Sequence, residues 1–138
     1  MQIGVYNNGI CIEQYKSDDK TSDALPTLMG FLLKRFTCKG LFFAKGPGSF
    51  MAIKVTYLFL QTIHITKDIP LYACEGFTFN ANMPIKAVGK RYFVKCPDGS
   101  IDTTILDSPP NAPFVLPREL PYEAFSQDIE PLYHLPAV

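Results

Sequence analysis

The chain has 138 residues, and its 13 lysines and arginines are balanced by 13 aspartates and glutamates. That length suits one domain or two small lobes sharing a core. With no basic run, the chain lacks the electrostatic footprint of a stand-alone nucleic-acid binder, so any RNA would be held by something else.

Cys11, Cys38, Cys74 and Cys96 are widely spread, with no Cys-x-x-Cys pair and no histidine nearby. The spacing argues against a zinc site and predicts reduced thiols that behave as small apolar side chains. The start Met1-Gln2-Ile3 lacks the basic and apolar regions of a signal peptide. Lys54, Gln61 and His64 interrupt the apolar run at 50–65, which therefore does not read as a membrane span. These features predict a cytoplasmic protein.

Met1 to Tyr6 and Ile10 to Tyr15 loosely alternate apolar and polar residues around Asn7-Asn8-Gly9, which predicts a hairpin. After a polar loop at 16–20, Thr21 or Ser22 is placed to cap a helix running to about Phe36. Leu25, Met29, Leu32 and Phe36 lie along one face of that helix. Pro26 falls near its first turn, where a missing N–H costs least. Gly30, mid-helix, predicts close approach of another helix.

Leu41-Phe42-Phe43-Ala44 is a short apolar run bounded by turn residues, and it predicts a buried strand. In the turn Lys45-Gly46-Pro47-Gly48-Ser49-Phe50, Gly46 allows a positive φ and Gly48 lets the backbone pass close to a neighbour. Ser49 is expected to cap the next helix through its hydroxyl. A second short strand around Leu71 to Cys74 follows that helix, so the pair forms a βαβ crossover with parallel pairing. Residues 1–74 thus read as β-β-α-β-α-β, a mixed sheet with two main helices.

The helix at 49–65 is unusually apolar. Lys54, Tyr57, Gln61 and His64 share one narrow side. The remaining arc covers roughly 220°, against the ~100° needed to face a single sheet. Such a helix needs cover on two sides, either from this chain or from another. Phe59, Val55 and Ala52 are central in the arc and suit the sheet. Ile53, Leu60 and Ile63 on one flank, or Met51 and Leu58 on the other, are candidates for partner contact. On the first helix Leu28, Gly30 and Phe31 lie off the core stripe and join that set.

Eight of the twelve prolines lie from Pro97 onward. Strands are expected at Ile85 to Val88 and Tyr92 to Lys95, a turn at Pro97-Asp98-Gly99, and a short helix near Tyr122 to Phe125. Residues 1–83 read as the main domain. Residues 84–138 read as a reduced, proline-rich lobe leaning on it.

Lys45 to Val55, reading Lys-Gly-Pro-Gly-Ser-Phe-Met-Ala-Ile-Lys-Val, resembles the signature of the TsaB (YeaZ) family. Leu25-Pro26-Thr27-Leu28, Ile69-Pro70-Leu71 and Pro131-Leu132-Tyr133-His134-Leu135 resemble further family stretches in the same order. The resemblance implies the actin-like/sugar-kinase (ribonuclease-H-like) fold with a reduced second lobe. It implies a non-catalytic subunit in formation of threonylcarbamoyladenosine at position 37 of tRNA. The partner would be a TsaD-type paralogue, joined by a TsaE-type ATPase, with tRNA reached only through the complex. Alone, such a chain would pair with a second copy of itself. The chain departs from the family by its short length, by two strands before the first helix instead of three, and by Met51, Ala52 and Lys54 within the signature.

Three other chemistries stand beside this reading. Gly46, Gly48 and Ser49 could offer N–H groups to an anion, and the resemblance leaves room for ATP or ADP at a subunit interface. The competing reading is a tight turn that packs the helix. A nucleotide-dependent phosphotransferase or hydrolase is the alternative function, although the acidic phosphate turn of catalytic relatives is replaced by Val5-Tyr6-Asn7. His64 and His134 do not sit in a nucleophile set, so no peptidase or other catalytic residue is predicted. Asp98, Asp102 and Asp107, like the Lys90-Arg91 pair, read as solvated, and no metal ligands are expected.

Overall fold

Asn8 and Gly9 both adopt positive φ, 53° and 81°, the geometry that closes a two-residue hairpin between right-twisted strands. In the computed structural model, which describes residues 1–108 and 112–133, they join β1 (Gln2–Asn7) to β2 (Ile10–Lys16) in antiparallel register. Pro109-Pro110 and the His134-Leu135 ending lie outside the described residues.

Helix α1 (Thr21–Arg35) follows. Ala24, Leu25, Met29 and Leu32 are buried along one stripe, close to the expected set. Its N-cap is Lys20, and no side chain caps the start, contrary to the role given to Thr21 or Ser22. The Lys20 carbonyl instead accepts the N–H groups of Asp23 and Ala24 at 2.9 Å each. Pro26 sits inside the helix as its sixth residue, one or two positions deeper than expected.

Strand β3 (Leu41–Ala44), helix α2 (Phe50–Lys67) and β4 (Leu71–Cys74) form the predicted crossover. β3 and β4 pair in parallel, from Leu41 beside Leu71 to Ala44 beside Cys74. α2 ends at Asp68, whose left-handed conformation turns the chain into Ile69-Pro70. Leu25 and Met29 of α1, Leu60 and Ile63 of α2, and Leu41, Phe43, Leu71 and Ala73 of the strands make one core. The class is therefore mixed α/β, but the expected single sheet is divided. The β1–β2 hairpin and the β3–β4 pair share no hydrogen bonds.

A three-stranded antiparallel sheet comes next: β5 (Ile85–Lys86), β6 (Arg91–Lys95) and β7 (Ile101–Ile105). β7 was not foreseen, because its Asp-Thr-Thr centre lacks an apolar pattern. Pro97-Asp98-Gly99 makes the turn before it, with Asp98 Oδ1 accepting from the Ser100 N–H and hydroxyl. A small second core joins Phe77, Ile85 and Phe93. Its Phe77 comes from a 3₁₀ turn at Gly76–Phe79, directly after β4.

Residues 113–132 then run back as a strap. The Cys11 N–H donates to the Arg118 carbonyl at 2.8 Å, and the Leu120 N–H to that of Gly9 at 2.8 Å. Ser126 and Ala73 exchange both backbone bonds, covering the outer edge of β4. The Leu132 N–H reaches the Lys45 carbonyl at 2.8 Å. Gln2 Nε2 donates to the Phe114 carbonyl at 2.8 Å, and the Tyr6 hydroxyl donates to that of Pro117. The predicted short helix is a 3₁₀ turn at Tyr122–Ala124.

Burial, reinforced by the neighbouring Cys11 thiol, pushes the Tyr6 phenol up from 10.0 to about 12. Below pH 10 the phenol is neutral both folded and unfolded, and its bond to the strap is intact. Between pH 10 and about 12 the unfolded chain ionises first, so stability falls as pH rises through that window. Tyr6→Phe should lower the urea midpoint at pH 9 and flatten its further decline toward pH 12. An unchanged alkaline decline would show that Tyr6 does not tie the hairpin to the strap.

Candidate functional site

The rotation of α2 about its axis decides which of its residues another molecule can reach. Ile53, Leu60 and Ile63 point inward and are 8, 5 and 6% exposed. Against the expectation of partner contact for these three, they fill the chain's own interior. Phe59, Val55 and Ala52, expected on the sheet side, are half-buried at its margin instead. Tyr57, Gln61 and His64 form the other margin. His64 Nδ1 lies 2.6 Å from the Ile69 carbonyl, and Tyr57 packs against Phe43 with ring centroids 6.4 Å apart. Two-edge anchoring of this kind turns the remaining face outward.

That outer face carries Met51, Leu58 and Ile65, which are 63, 52 and 68% exposed. They recur every seven residues, nearly two full turns, so they line up along the axis. Lys54 and Thr62 lie between them. Met51 and Leu58 belong to the expected contact set; Ile65 does not, although its seven-residue spacing from Leu58 is readable in the sequence.

On α1 the candidates divide. Leu28 is half-buried and Phe31 is exposed. Phe31 is flanked by the Arg35 guanidinium, 5.2 Å from its ring centroid, and Arg35 also holds Glu13 at 3.0 Å. Gly30 does not mark a close helix crossing. A Cβ built there meets nothing within 4 Å.

The Gly46–Ser49 turn is a packing device. Gly46 has φ 107°, and a Cβ there would come within 2.9 Å of Ile53 Cδ1 and 3.1 Å of the Leu132 carbonyl oxygen. Gly46 and Pro47 are buried. The close approach expected at Gly48 is absent, since a Cβ there would meet only Ile53 Cδ1 at 3.8 Å. Ser49 is the N-cap of α2 but makes no side-chain cap bond. Lys45 is directed away from the turn, donating to the Asp128 carbonyl at 2.9 Å. The first residue of α2, Phe50, is covered by Tyr133 at 4.7 Å between centroids.

No catalytic set assembles elsewhere among the described residues. No three of their His, Cys, Asp and Glu side chains converge to hold a metal. Asp102 is exposed, and Asp107 pairs with Lys90 at 3.4 Å in full solvent. Arg91 donates to Thr103 Oγ1 at 3.3 Å. All four cysteines are free thiols, and burial pushes that of Cys74 up to about 11. Among the described residues no helix is long and apolar enough to cross a membrane. Compared with models of known protein families, the chain matches none, and no curated protein matches it either.

The rotation of α2 can be checked directly. Leu60→Ala should cost about 2–5 kcal/mol, through lost burial plus the cavity left behind. Leu58→Ala should stay within about 0.5 kcal/mol of the parent. Urea midpoints at constant m-value provide the comparison. Equal costs at the two positions would mean that the outer face is not free.

Proposed function

We propose that this chain is a non-catalytic partner subunit of the TsaB type, built on a reduced actin-like fold. In this reading it binds a TsaD-type paralogue and holds it in an active arrangement for threonylcarbamoyladenosine formation at position 37 of tRNA. A TsaE-type ATPase joins the assembly, with ATP or ADP bound at a subunit contact and not by this chain alone.

The observation that carries the proposal is the outer stripe of α2. Three large apolar side chains, each more than half exposed, lie along one helix launched by the Gly46-Pro47-Gly48-Ser49 turn. Leaving them in water forfeits about 1.5–3 kcal/mol of transfer free energy per side chain, which a partner helix would recover. Helix-on-helix packing needs such a row, because side chains spaced at seven residues form a ridge that fits a groove on the partner. The parallel β3–β4 pair around α2 also suits the resemblance, while the two strands before α1 remain one fewer than the family has. A nucleotide-dependent phosphotransferase or hydrolase finds no favouring geometry. The turn that would meet phosphate is packed by Ile53 and Leu132.

The test is to mix the purified chain with the TsaD-type protein of its own organism and measure the complex by calorimetry. Leu58→Glu, at an exposed position, should leave folding intact yet weaken the complex by more than about 2 kcal/mol, some thirtyfold in Kd. Failure to form a complex, even with the TsaE-type ATPase and ATP present, would sink the proposal. In the absence of partner, the same variant should abolish any self-association driven by this stripe.

A further inference from the structure

The β1–β2 hairpin and the β3–β4 pair are separate sheets with a cleft between them. A cleft of about 1160 Å³ runs between β1 and β3. It is lined along one side by Met1 to Asn8 and along the other by Gly40 to Ala44. Leu25, Met29 and Leu32 of α1 and Leu60 of α2 line it from the helix layer. Phe114, Val115, Leu116, Tyr122 and Phe125 line it from the strap.

Backbone phase shows what faces this space. Met1 and Ser17 exchange both backbone bonds, at 2.9 and 3.0 Å. Alternation in an antiparallel ladder then turns Ile3 and Val5 toward β2, and turns the N–H and C=O groups of Gln2 and Gly4 to the opposite edge. On β3, the N–H groups of Leu41 and Lys45 bond to Pro70 and Cys74 across the parallel pair. Phe42 and Ala44 therefore present their N–H and C=O groups on the side away from β4. Among the described residues no partner is found for these edge groups. The other two edges are treated differently. Ser126 covers β4, and Glu119 bridges the start of β2.

We propose that this cleft receives an extended, uncharged apolar segment of a partner polypeptide, which adds as a strand between β1 and β3. Two unpaired edges with alternating donors and acceptors match an extended backbone; a helix, whose N–H and C=O groups bond internally, does not match them. The two walls specify the side chains. Alternate residues of the incoming strand would face Leu25, Met29 and Leu32 on one side and the aromatic strap on the other. A strand buried on both faces is apolar throughout, without alternation. Charge selects in the same direction, since Lys39 at the end of the lining is its one charged side chain and no carboxylate lines it. The inference is independent of the outer face of α2.

The experiment uses the intact chain and a blocked seven-residue peptide of valine and alanine, with amide hydrogen exchange as the readout. Without peptide, Gln2, Gly4, Phe42 and Ala44 should exchange much faster than their ladder neighbours Ile3 and Phe43. Saturating peptide should slow those four amides at least tenfold. The same peptide N-methylated at alternate residues should not. Ala44→Pro removes one cleft-facing N–H without touching the β3–β4 ladder, and should weaken the peptide at least fivefold. If that variant does not fold, exchange in the parent chain still decides. Protection of the four amides without peptide would overturn the proposal. If it persists on dilution, the two edges are already paired with each other; if it fades, a second copy fills the slot. Equal protection by the methylated peptide, or none by either, would overturn it as well.

Discussion

Leu60 and Ile63 seated against Leu41, Phe43 and Leu71 fix the rotation of α2, and from that rotation follows what the molecule can offer to others. A helix apolar around most of its circumference has no intrinsic preference for which side goes in. Its choice is settled at the ends and margins. Ile53 fills the space beside Gly46, where a Cβ would sit within 2.9 Å of it. His64 reaches the Ile69 carbonyl across the C-terminal turn. With these points held, Met51, Leu58 and Ile65 have nowhere to go but outward.

The strap performs a second task that the core cannot. The hairpin meets the helix layer through Met1 and Ile3 and through the half-exposed Arg35–Glu13 pair, which contributes little in water. Gln2, Tyr6, Gly9 and Cys11 add backbone-directed bonds to Phe114, Pro117, Leu120 and Arg118. The hairpin is thus carried from above by the strap while β3–β4 is carried from below by α2. Two supports of different origin hold the two strand pairs without joining them into one sheet.

Local chemistry was legible wherever one short stretch decides its own shape. Asn8-Gly9 specifies its hairpin, Pro97-Asp98-Gly99 its turn, and the apolar runs around α2 their parallel crossover. What stayed hidden depends on distant residues. The wheel offered two outward flanks for α2, and only Gly46, Leu132 and Ile69 choose between them. Ser49 carries the right side chain for a cap, but the chain enters α2 without that bond, as it enters α1 from Lys20. Gly30 signalled a crossing that no other element makes. Ile101–Ile105 escaped notice because Asp102, Thr103 and Thr104 give no alternation, and their strand character comes from pairing with β6.

The open cleft and the outer face of α2 share one element. Thr56 and Leu60 line the cleft from the inner side of the helix that carries Leu58 on its outer side. An occupant of the cleft would press on Leu60, and Leu60 sets the rotation that exposes Leu58. Leu60 is already buried in the core with Leu41 and Phe43, so an occupant of the cleft meets a helix whose outer face is set beforehand. Gln61 Oε1 is buried on the margin between the two surfaces without a hydrogen-bond partner among the described residues, so the helix carries an unsatisfied polar atom between its inner and outer faces.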